Sequence, residues 1–361
     1  MAKDEFAEIL ANEEDITTRF YRDLGGLPQD ILNNARQVKP HLKIVRDELA
    51  KILVEPDSQI EQLPALLKMS DWSQEYEDEI LMAFNEGQIA AIDGTPVIPH
   101  QAFLTGEVFA AGVGSLSSRD HQAHIKLTKT FKPISENPQN LEDVYEVVKN
   151  AARQGTSWHM AYMEYAERRY ALNHPSFYTI IDGPLVTQNL LTRPAGRQLY
   201  LDMFGAGGSK VYLGVIKDIR MSDEQLRFIA RALRSGEMYI HTTLRQHLKN
   251  LIQRIDAGSA SSEAVKIVLD QIGDLLVRGV YKPGKKAFGF ECRLDQIRYV
   301  VPLLWLRRNP PPHEIPFLLA QVDAALRGSF RPNEIGATIA ATLIHEGEED
   351  FLEEENERGL R

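Results

Sequence analysis

The sequence predicts an α/β protein in which a mixed β-sheet is flanked by helices and preceded by an all-helical region. Residues 1–88 repeat apolar side chains at intervals of three and four, the spacing of amphipathic helices. From residue 89 the chain has short runs that are apolar or alternate apolar with polar residues, as strands do. After residue 141 such runs alternate with helical segments. We therefore expect a helical N-terminal region at 1–88, a core at 89–345, and an acidic tail at 346–361 that is disordered.

The helical region is predicted from segments such as residues 30–53, DILNNARQVKPHLKIVRDELAKIL, where apolar residues recur with helical spacing. Prolines at positions 28, 56 and 64 mark the limits of its helices. Three strands are predicted next, close enough together to form a meander. They are QIAAID (88–93), EVFAAGVGSL (107–116) and HIKLTKTF (124–131).

The middle of the chain predicts alternating helices and strands. One long helix at 141–172, bent near Gly155, leads into the strand FYTIID. A later helix begins with a capping pair at Ser222 and Gln225 and ends at Gly236. Between them lie a helix at 186–204 interrupted at Pro194 and the strand KVYLGVIK at 210–217.

The last third of the chain predicts two helices, then two strands, then two closing helices. The periodicity of apolar residues is the basis for each. The helices are expected at 238–255 and 261–279, the strands at 286–294 and 297–306, and the closing helices at 314–328 and 333–344.

Composition limits the class of protein. The chain is 43% hydrophobic and 25% charged, as in folded soluble proteins of one or two domains. A single cysteine, Cys292, excludes an internal disulfide framework and a Cys-rich zinc site, and it fits a reducing compartment. The acidic N-terminus lacks a signal-peptide pattern, and no apolar run approaches about 18 residues. We expect a cytoplasmic protein without a membrane segment.

Two aspartates stand at the ends of apolar strands, each followed by glycine: Asp93 in IAAIDG and Asp182 in YTIIDG. One Asp-Gly pair alone is a common turn. If the two strands are neighbours, however, both carboxylates emerge close together, and two such anions need a cation between them. Ligation by carboxylates alone suits Mg²⁺ or Mn²⁺.

The helix before the second strand supplies further carboxylates. Glu164 and Glu167 are three residues apart and project from nearly the same helix face, so either is a candidate ligand. Lys217 closes the strand YLGVIK, where a cation can neutralise a phosphate. Late in the chain, His313 and Asp323 are candidates for a further ligand or a proton-transfer group.

In this order the motifs QIAAIDGT, MEYAERR, FYTIIDGPL, YLGVIKD and PFLLAQVDAAL resemble the NurA nuclease family over residues 85–330. The resemblance matches Asp93 and Asp182 with the family's two strand aspartates, Glu164 with its helix glutamate, and Lys217 with its strand lysine. Glu167 is the fallback for the helix position. The chain departs from the family at its late histidine, where it has Gln321, so that role is vacant or passes to Asp323 or His313.

The resemblance implies an RNase H-like core and a Mn²⁺- or Mg²⁺-dependent nuclease that resects DNA ends in repair. It also implies a homodimer that docks on a HerA-type hexameric translocase ATPase. In this interpretation Asp93, Glu164 and Asp182 hold the metal, and Lys217 and Asp323 complete the catalytic set.

The net charge of −10 repels a polyanion at long range unless bound metals or local basic residues change the sign. Two basic runs are candidates for contacts with the DNA backbone, although either is more simply a solvated face. The first consists of Lys126, Lys129 and Lys132, and the second of Lys282, Lys285 and Lys286.

Other classes of protein fit less well. A haloacid-dehalogenase-like phosphatase needs an aspartate nucleophile where this chain has Ala91, and a P-loop NTPase needs a glycine spacing that FGAGGSK lacks. The alternative that remains is a catalytically weak or inactive subunit with the same fold, which serves as a protein-interaction and assembly module. Gln321 favours this alternative.

Overall fold

The computed structural model describes residues 27–55, 58–71, 74–96, 101–103, 106–133, 160–205, 208–219, 224–249, 260–305 and 314–330, and the single residues 341 and 345. The chain forms two compact units, Met1–Leu49 and Ala50–Arg361. The first unit holds the body of helix α1 (Leu27–Ala50). Residues 50–88 therefore belong to the unit that contains the sheet.

The remaining helices of the described residues belong to the second unit. They are α2 (Gln74–Asn85), α3 (residues 160–173), α4 (Gln188–Leu191), α5 (Pro194–Phe204), α6 (Glu224–Ala232), α7 (Leu244–His247), α8 (Ala260–Ile272), α9 (Ile297–Trp305) and α10 (Phe317–Ser329). Short 3₁₀ turns lie at Met69–Asp71 and Leu294–Gln296.

Ten strands of the described residues form one mixed sheet. They are β1 (Ala65–Lys68), β2 (Ile89–Pro96), β3 (Gln101–Phe103), β4 (Gly106–Ser117), β5 (His124–Pro133), β6 (Tyr178–Asp182), β7 (Val211–Ile216), β8 (Glu237–Thr243), β9 (Leu276–Lys282) and β10 (Phe288–Arg293). The strand order is β1-β8-β9-β10-β7-β6-β2-β4-β3, and β5 also pairs with β4.

The centre of the sheet is parallel and its flanks are antiparallel. Strand β6 pairs in parallel with β2 on one side and with β7 on the other. These three strands are nearly continuous apolar runs, as expected for parallel strands that are covered on both faces. Because they run in the same direction, their C-terminal ends meet at one edge of the sheet, which we call the carboxyl edge.

Helices cover both faces of the sheet. Buried side chains of α2, α9 and α10 form one core with Ala91, Ile180 and Leu213. Buried side chains of α3, α5 and α8 form a second core with Ile92 and Ile181 on the other face. Neighbouring residues of one strand thus belong to opposite cores, as the two-residue repeat of a strand requires. The predicted mixed sheet flanked by helices is confirmed.

The structure differs from the sequence-based expectation in four segments. Ala65–Lys68, within the region expected to be all helical, is an edge strand that pairs with β8. The prediction of a helix at 238–255 is wrong for its first part, because Glu237–Thr243 is strand β8, which pairs with β1 on one side and β9 on the other. The helix expected at 261–279 ends at Ile272, and Leu276–Lys282 is a strand. The strand expected at 297–306 is the helix Ile297–Trp305.

Some expectations lie outside the described residues. They are the first part of the long helix at 141–159 with its bend at Gly155, the cap at Ser222, His313, nearly all of the closing helix at 333–344, and the acidic tail at 346–361. In the part of the chain that is described, no helix is long and apolar enough to cross a membrane.

Candidate active site

Asp93 and Asp182, which follow the apolar runs of β2 and β6, lie side by side at the carboxyl edge, although β2 continues to Pro96 in its pairing with β4. The parallel pairing of β2 with β6 ends at Ile92 and Ile181, so the next residues, Asp93 and Asp182, occupy equivalent positions on adjacent strands. Asp93 is buried at 4% relative exposure. Its Oδ1 accepts a hydrogen bond of 2.8 Å from the backbone N–H of Gly94, and its Oδ2 faces Lys217.

Lys217 follows β7 directly and places its ammonium group among three aspartates. Its Nζ lies 2.8 Å from Oδ2 of Asp182, 3.7 Å from Oδ1 of Asp323 and 3.9 Å from Oδ2 of Asp93. Burial acts to lower the pKa of Lys217, but Asp182 and Asp93 act more strongly in the other direction, so the pKa is raised. Lys217 is therefore a permanent cation at this site.

Asp323 reaches the site from helix α10, which packs on β2 and β4. Val322 and Leu326 of this helix are buried against Gly114 of β4. Asp323 also forms an ion pair with Arg327. Nε of Arg327 donates a hydrogen bond of 3.2 Å to Oδ1 of Asp323, and its Nη2 lies 3.1 Å from Oδ2. Gln321, the residue at which the chain departs from the family pattern, is exposed. Two residues along a helix turn a side chain to nearly the opposite side, so Asp323 faces the cluster and Gln321 does not.

The pKa of Asp93 is raised from 3.8 to about 8, chiefly by burial. The neighbouring Asp182, Glu167 and Asp323 also raise it, and Lys217 lowers it. An ionised carboxylate in this position is thus disfavoured in the protein without an added cation.

The carboxylate of helix α3 that lies next to Asp93 belongs to Glu167, not to Glu164. A Cβ atom at Gly94 would be 2.4 Å from Oε1 of Glu167, so the glycine leaves the space that this side chain fills. Oε2 of Glu167 accepts a hydrogen bond of 2.7 Å from Arg168. Burial raises the pKa of Glu167 to about 7, although Arg168 lowers it, and Asp182 contributes to the rise.

Glu164 is engaged elsewhere. Its Oε2 accepts a hydrogen bond of 2.7 Å from the Thr187 hydroxyl, and its Oε1 accepts one of 3.3 Å from Nδ2 of Asn189. Both partners follow the Asp182–Gly183 turn. These bonds tie α3 to the beginning of α4, and they direct the Glu164 carboxylate away from Asp93.

Arg168 is a buried residue of the site to which the sequence analysis gave no role. It donates to the carbonyl oxygens of Leu185 (3.1 Å), Pro184 (2.6 Å) and Glu164 (3.0 Å), besides the bond to Glu167. The guanidinium thus holds α3 against the turn that follows Asp182. Its position beside Glu167 in MEYAERR was visible in the sequence, but nothing there distinguished it from the neighbouring Arg169.

The donor set fits a hard divalent cation, because every candidate ligand is a carboxylate oxygen. The side chains as they stand are arranged around the Lys217 ammonium. Within the described ranges no group of three or more His, Cys, Asp or Glu side chains is placed to hold a metal ion. Binding of an ion between Asp93 and Asp182 therefore requires Lys217 to give up part of its contact with them.

The first basic run does not form one surface. Lys126 and Lys129 are three residues apart on β5 and point to opposite faces. Lys126 lies over the Tyr170 ring at 4.7 Å, on the side of the sheet that α3 covers. The side chain of Lys132 lies outside the described part of the chain.

The second basic run lies at the carboxyl edge. Strand β10 pairs with β7 through Gly289 and Ile216, so the β9–β10 turn at 283–287 stands beside Lys217. Lys282 donates to the carbonyl oxygen of Leu233 at 2.9 Å, whereas Lys285 and Lys286 are exposed.

No protein-family model matches the chain, and no curated protein matches it in sequence. Among solved structures, the NurA nuclease from Sulfolobus solfataricus matches with a TM-score of 0.50 and 12% identity, covering 92% of this chain and 98% of that chain. A second NurA structure matches with a TM-score of 0.44 and 9% identity (87% and 97% covered), and a NurA structure with manganese with 0.36 and 11% (86% and 98%). At these identities the likeness concerns the fold alone. The RNase H-like fold predicted from the sequence resemblance is confirmed.

Proposed function

We propose that this chain is a divalent-metal-dependent nuclease that hydrolyses phosphodiester bonds in DNA. The observation that carries the proposal is the convergence of Asp93, Asp182 and Asp323, from three separate elements, on the Lys217 ammonium at one edge of the sheet. The raised pKa of Asp93 supports a site that is short of positive charge. The shared fold with a NurA nuclease supports the same reaction class.

The proposed ligands of the ion are Asp93, Asp182 and Glu167, with Asp323 as a further carboxylate. Mn²⁺ and Mg²⁺ both accept such an all-oxygen set. When bound, the ion activates a water molecule and stabilises the charge that develops on the phosphate.

The chain's own residues prepare this chemistry. The Gly94 N–H holds Oδ1 of Asp93, which fixes the direction of Oδ2. Arg168 holds Glu167 and the turn after Asp182, so that two of the proposed ligands keep their positions relative to each other. Lys217 supplies a positive charge that attracts a phosphate oxygen as a point donor.

We propose Glu167 in place of Glu164 as the helix carboxylate. Glu164 already uses both oxygens to bind Thr187 and Asn189, whereas Glu167 lies against Gly94 beside Asp93. Glutamine at position 164 retains an oxygen that can accept the Thr187 bond. Glu164→Gln is therefore the matched control for Glu167→Gln.

The test is digestion of end-labelled linear DNA with Mn²⁺ by the wild type and by Asp93→Asn, Glu167→Gln and Glu164→Gln. We expect Asp93→Asn and Glu167→Gln to lower the rate at least about 100-fold and Glu164→Gln to lower it less than about tenfold. Exposed Asp202→Asn should leave the rate unchanged. Retained digestion by Asp93→Asn would show that the metal site lies elsewhere.

A second readout separates binding from catalysis. An ion that binds only the folded chain raises the thermal unfolding midpoint by mass action. Mn²⁺ should raise the midpoint of the wild type and not that of an Asp93→Asn, Asp182→Asn variant. A wild type that neither digests single- or double-stranded DNA nor responds to Mn²⁺ would favour the non-catalytic assembly subunit instead.

We further propose that the chain works as a homodimer with a HerA-type translocase ATPase in DNA end resection. This part rests on the resemblance of the sequence motifs. Light scattering should give a mass of twice 40.8 kDa. Mixing with a HerA-type hexamer should give a complex that co-elutes and digests DNA faster in the presence of ATP; separate elution would count against the partnership.

A further inference from the structure

Helix α6 carries a row of arginines on one flank. Arg227 and Arg231 are one turn apart, and Arg234 follows after three more residues, just past the end of the helix. Arg231 and Arg234 are exposed. The other side of the helix is apolar and buried, through Leu226, Ile229, Ala230 and Leu233. The sequence of α6 thus fixes its orientation and leaves the cations at the surface.

Both ends of α6 lie at the carboxyl edge. The helix connects the end of β7 with the start of β8, and these strands are separated in the sheet by β10 and β9. The three strand pairs β7–β10, β10–β9 and β9–β8 are all antiparallel. Strand β8 therefore runs opposite to β7 and begins at the edge at which β7 ends. A nine-residue helix is about 13 Å long, close to three strand spacings of about 4.8 Å. Helix α6 therefore spans the edge from β7 to β8, past the end of β9 and the start of β10.

Hydrogen bonds attach the end of α6 to the β9–β10 turn. Nζ of Lys282 donates to the carbonyl oxygen of Leu233 at 2.9 Å, and the Ser235 hydroxyl donates to that of Pro283 at 3.2 Å. Ser235 directly follows Arg234. These bonds hold the end of α6, and with it Arg234, next to the β9–β10 turn.

The β9–β10 turn adds two exposed lysines. The backbone N–H groups of Lys285 and Lys286 donate to the buried Glu314 carboxylate at 3.1 and 3.0 Å, which fixes the turn and leaves both side chains outside. Lys286 lies 3.8 Å from Asp218, the residue after Lys217, and this contact joins the turn to the site.

We propose that a basic strip, formed by Arg227, Arg231, Arg234, Lys285 and Lys286, binds the phosphate backbone of the DNA strand next to the scissile phosphate. The inference rests on the proposed function and extends it by naming the surface that positions the substrate. A chain with a net charge of −10 needs local cations to retain a polyanion. Contacts with phosphates carry no base specificity, so the strip serves a nuclease that acts on any sequence.

The test is the binding of a fluorescent single-stranded DNA oligonucleotide to the full chain in EDTA, measured by anisotropy over a range of salt concentrations. The strip variant is Arg231→Gln with Arg234→Gln. The matched control is Lys249→Gln with Lys266→Gln, which removes two exposed positive charges from the segment between β8 and β9; this segment leaves β8 at the edge of the sheet opposite to the carboxyl edge. Thermal midpoints of both variants should match the wild type, because exposed substitutions change stability little.

We expect the strip variant to bind about tenfold more weakly and to reduce the slope of log affinity against log salt by about 1.4, since each single-strand phosphate contact contributes about 0.7. The control pair should change affinity less than about twofold. Equal effects of the two pairs, or no binding by the wild type, would overturn the strip. Because the assay contains no metal, strip-dependent binding by a chain that fails to digest DNA would overturn the nuclease function and leave the strip in place.

Discussion

Replacing Asp93 with Asn should stabilise the metal-free protein at neutral and alkaline pH. Burial and the charge of Asp182 raise the pKa of Asp93 from 3.8 to about 8, although Lys217 acts against the rise. One pKa unit corresponds to about 1.36 kcal/mol, so the ionised side chain is disfavoured in the folded chain by roughly 5–6 kcal/mol. Asparagine keeps the shape of the side chain and cannot ionise.

The sign follows from the protons bound in each state. Between about pH 4 and pH 8 the unfolded chain has lost the Asp93 proton and the folded chain retains it. The free energy of unfolding therefore falls as the pH rises, by up to about 1.4 kcal/mol per pH unit. From about pH 5.5 to about pH 7.5, the wild type should lose up to about 3 kcal/mol more than Asp93→Asn.

Urea unfolding in EDTA at the two pH values measures this difference. Glu167, whose pKa is raised to about 7, adds a pH dependence of the same sign to both proteins. The difference between the two proteins therefore reports Asp93 together with its electrostatic interaction with Glu167. Asp202→Asn, at an exposed position, should follow the wild type. If the wild type and Asp93→Asn change in parallel within about 0.5 kcal/mol, the carboxylate is not held in the proposed environment.

Two substitutions test the surroundings of the site, and one labelling experiment tests the core of the sheet. Gly94→Ala should lower the free energy of unfolding in urea by about 1–3 kcal/mol, because its Cβ would lie 2.4 Å from Oε1 of Glu167. Gly328→Ala, whose Cβ would have no atom within 4 Å, should be neutral or stabilising. Arg168→Met should cost about 3–5 kcal/mol by the same measurement, since it leaves Glu167 buried without its partner, and adding Glu167→Gln should restore part of the loss. The Cys292 thiol is buried and its pKa is raised by burial, so a thiol reagent should label it only after unfolding; rapid labelling of the native chain would contradict its place in the core.

The fold was predictable where one local pattern dominated. The apolar runs of β2, β6 and β7 are too short for helices, so that they form strands was predictable, whereas their parallel pairing is seen only in the structure. Periodicity failed where an apolar run suits either structure. Residues 238–243, MYIHTT, continue into the helical spacing of Leu244 and Leu248, and only pairing with β9 decides that they form a strand. In Ile297–Trp305 the apolar pattern suggested a strand, but the segment is a helix that contains Pro302. This helix buries most of its side chains in one core.

The site was predictable to the extent that its residues directly follow apolar runs of strands. Asp93, Asp182 and Lys217 needed only adjacent parallel strands to meet. The choice between Glu164 and Glu167 was not readable, because a separation of three residues leaves both on one side of the helix. It depends on a tertiary contact, the fit of Glu167 against Gly94. Asp323 became distinguishable from Gln321 only when the buried side of α10 was known.

Burial and the charges at the site account together for the raised pKa values of Asp93 and Glu167 and for the proposed ion. Four carboxylates, Asp93, Asp182, Asp323 and Glu167, face two buried or half-buried cations, Lys217 and Arg168. The carboxylates outnumber the cations even when the exposed Arg327, which pairs with Asp323, is included. The two carboxyl groups whose pKa is raised, to about 8 and about 7, are the two most buried of the four. In the metal-free chain, protons supply the missing positive charge at neutral pH. A divalent ion carries the same charge, so it competes with those protons for the same oxygens, and the affinity of the site for the ion must increase with pH until both groups are ionised.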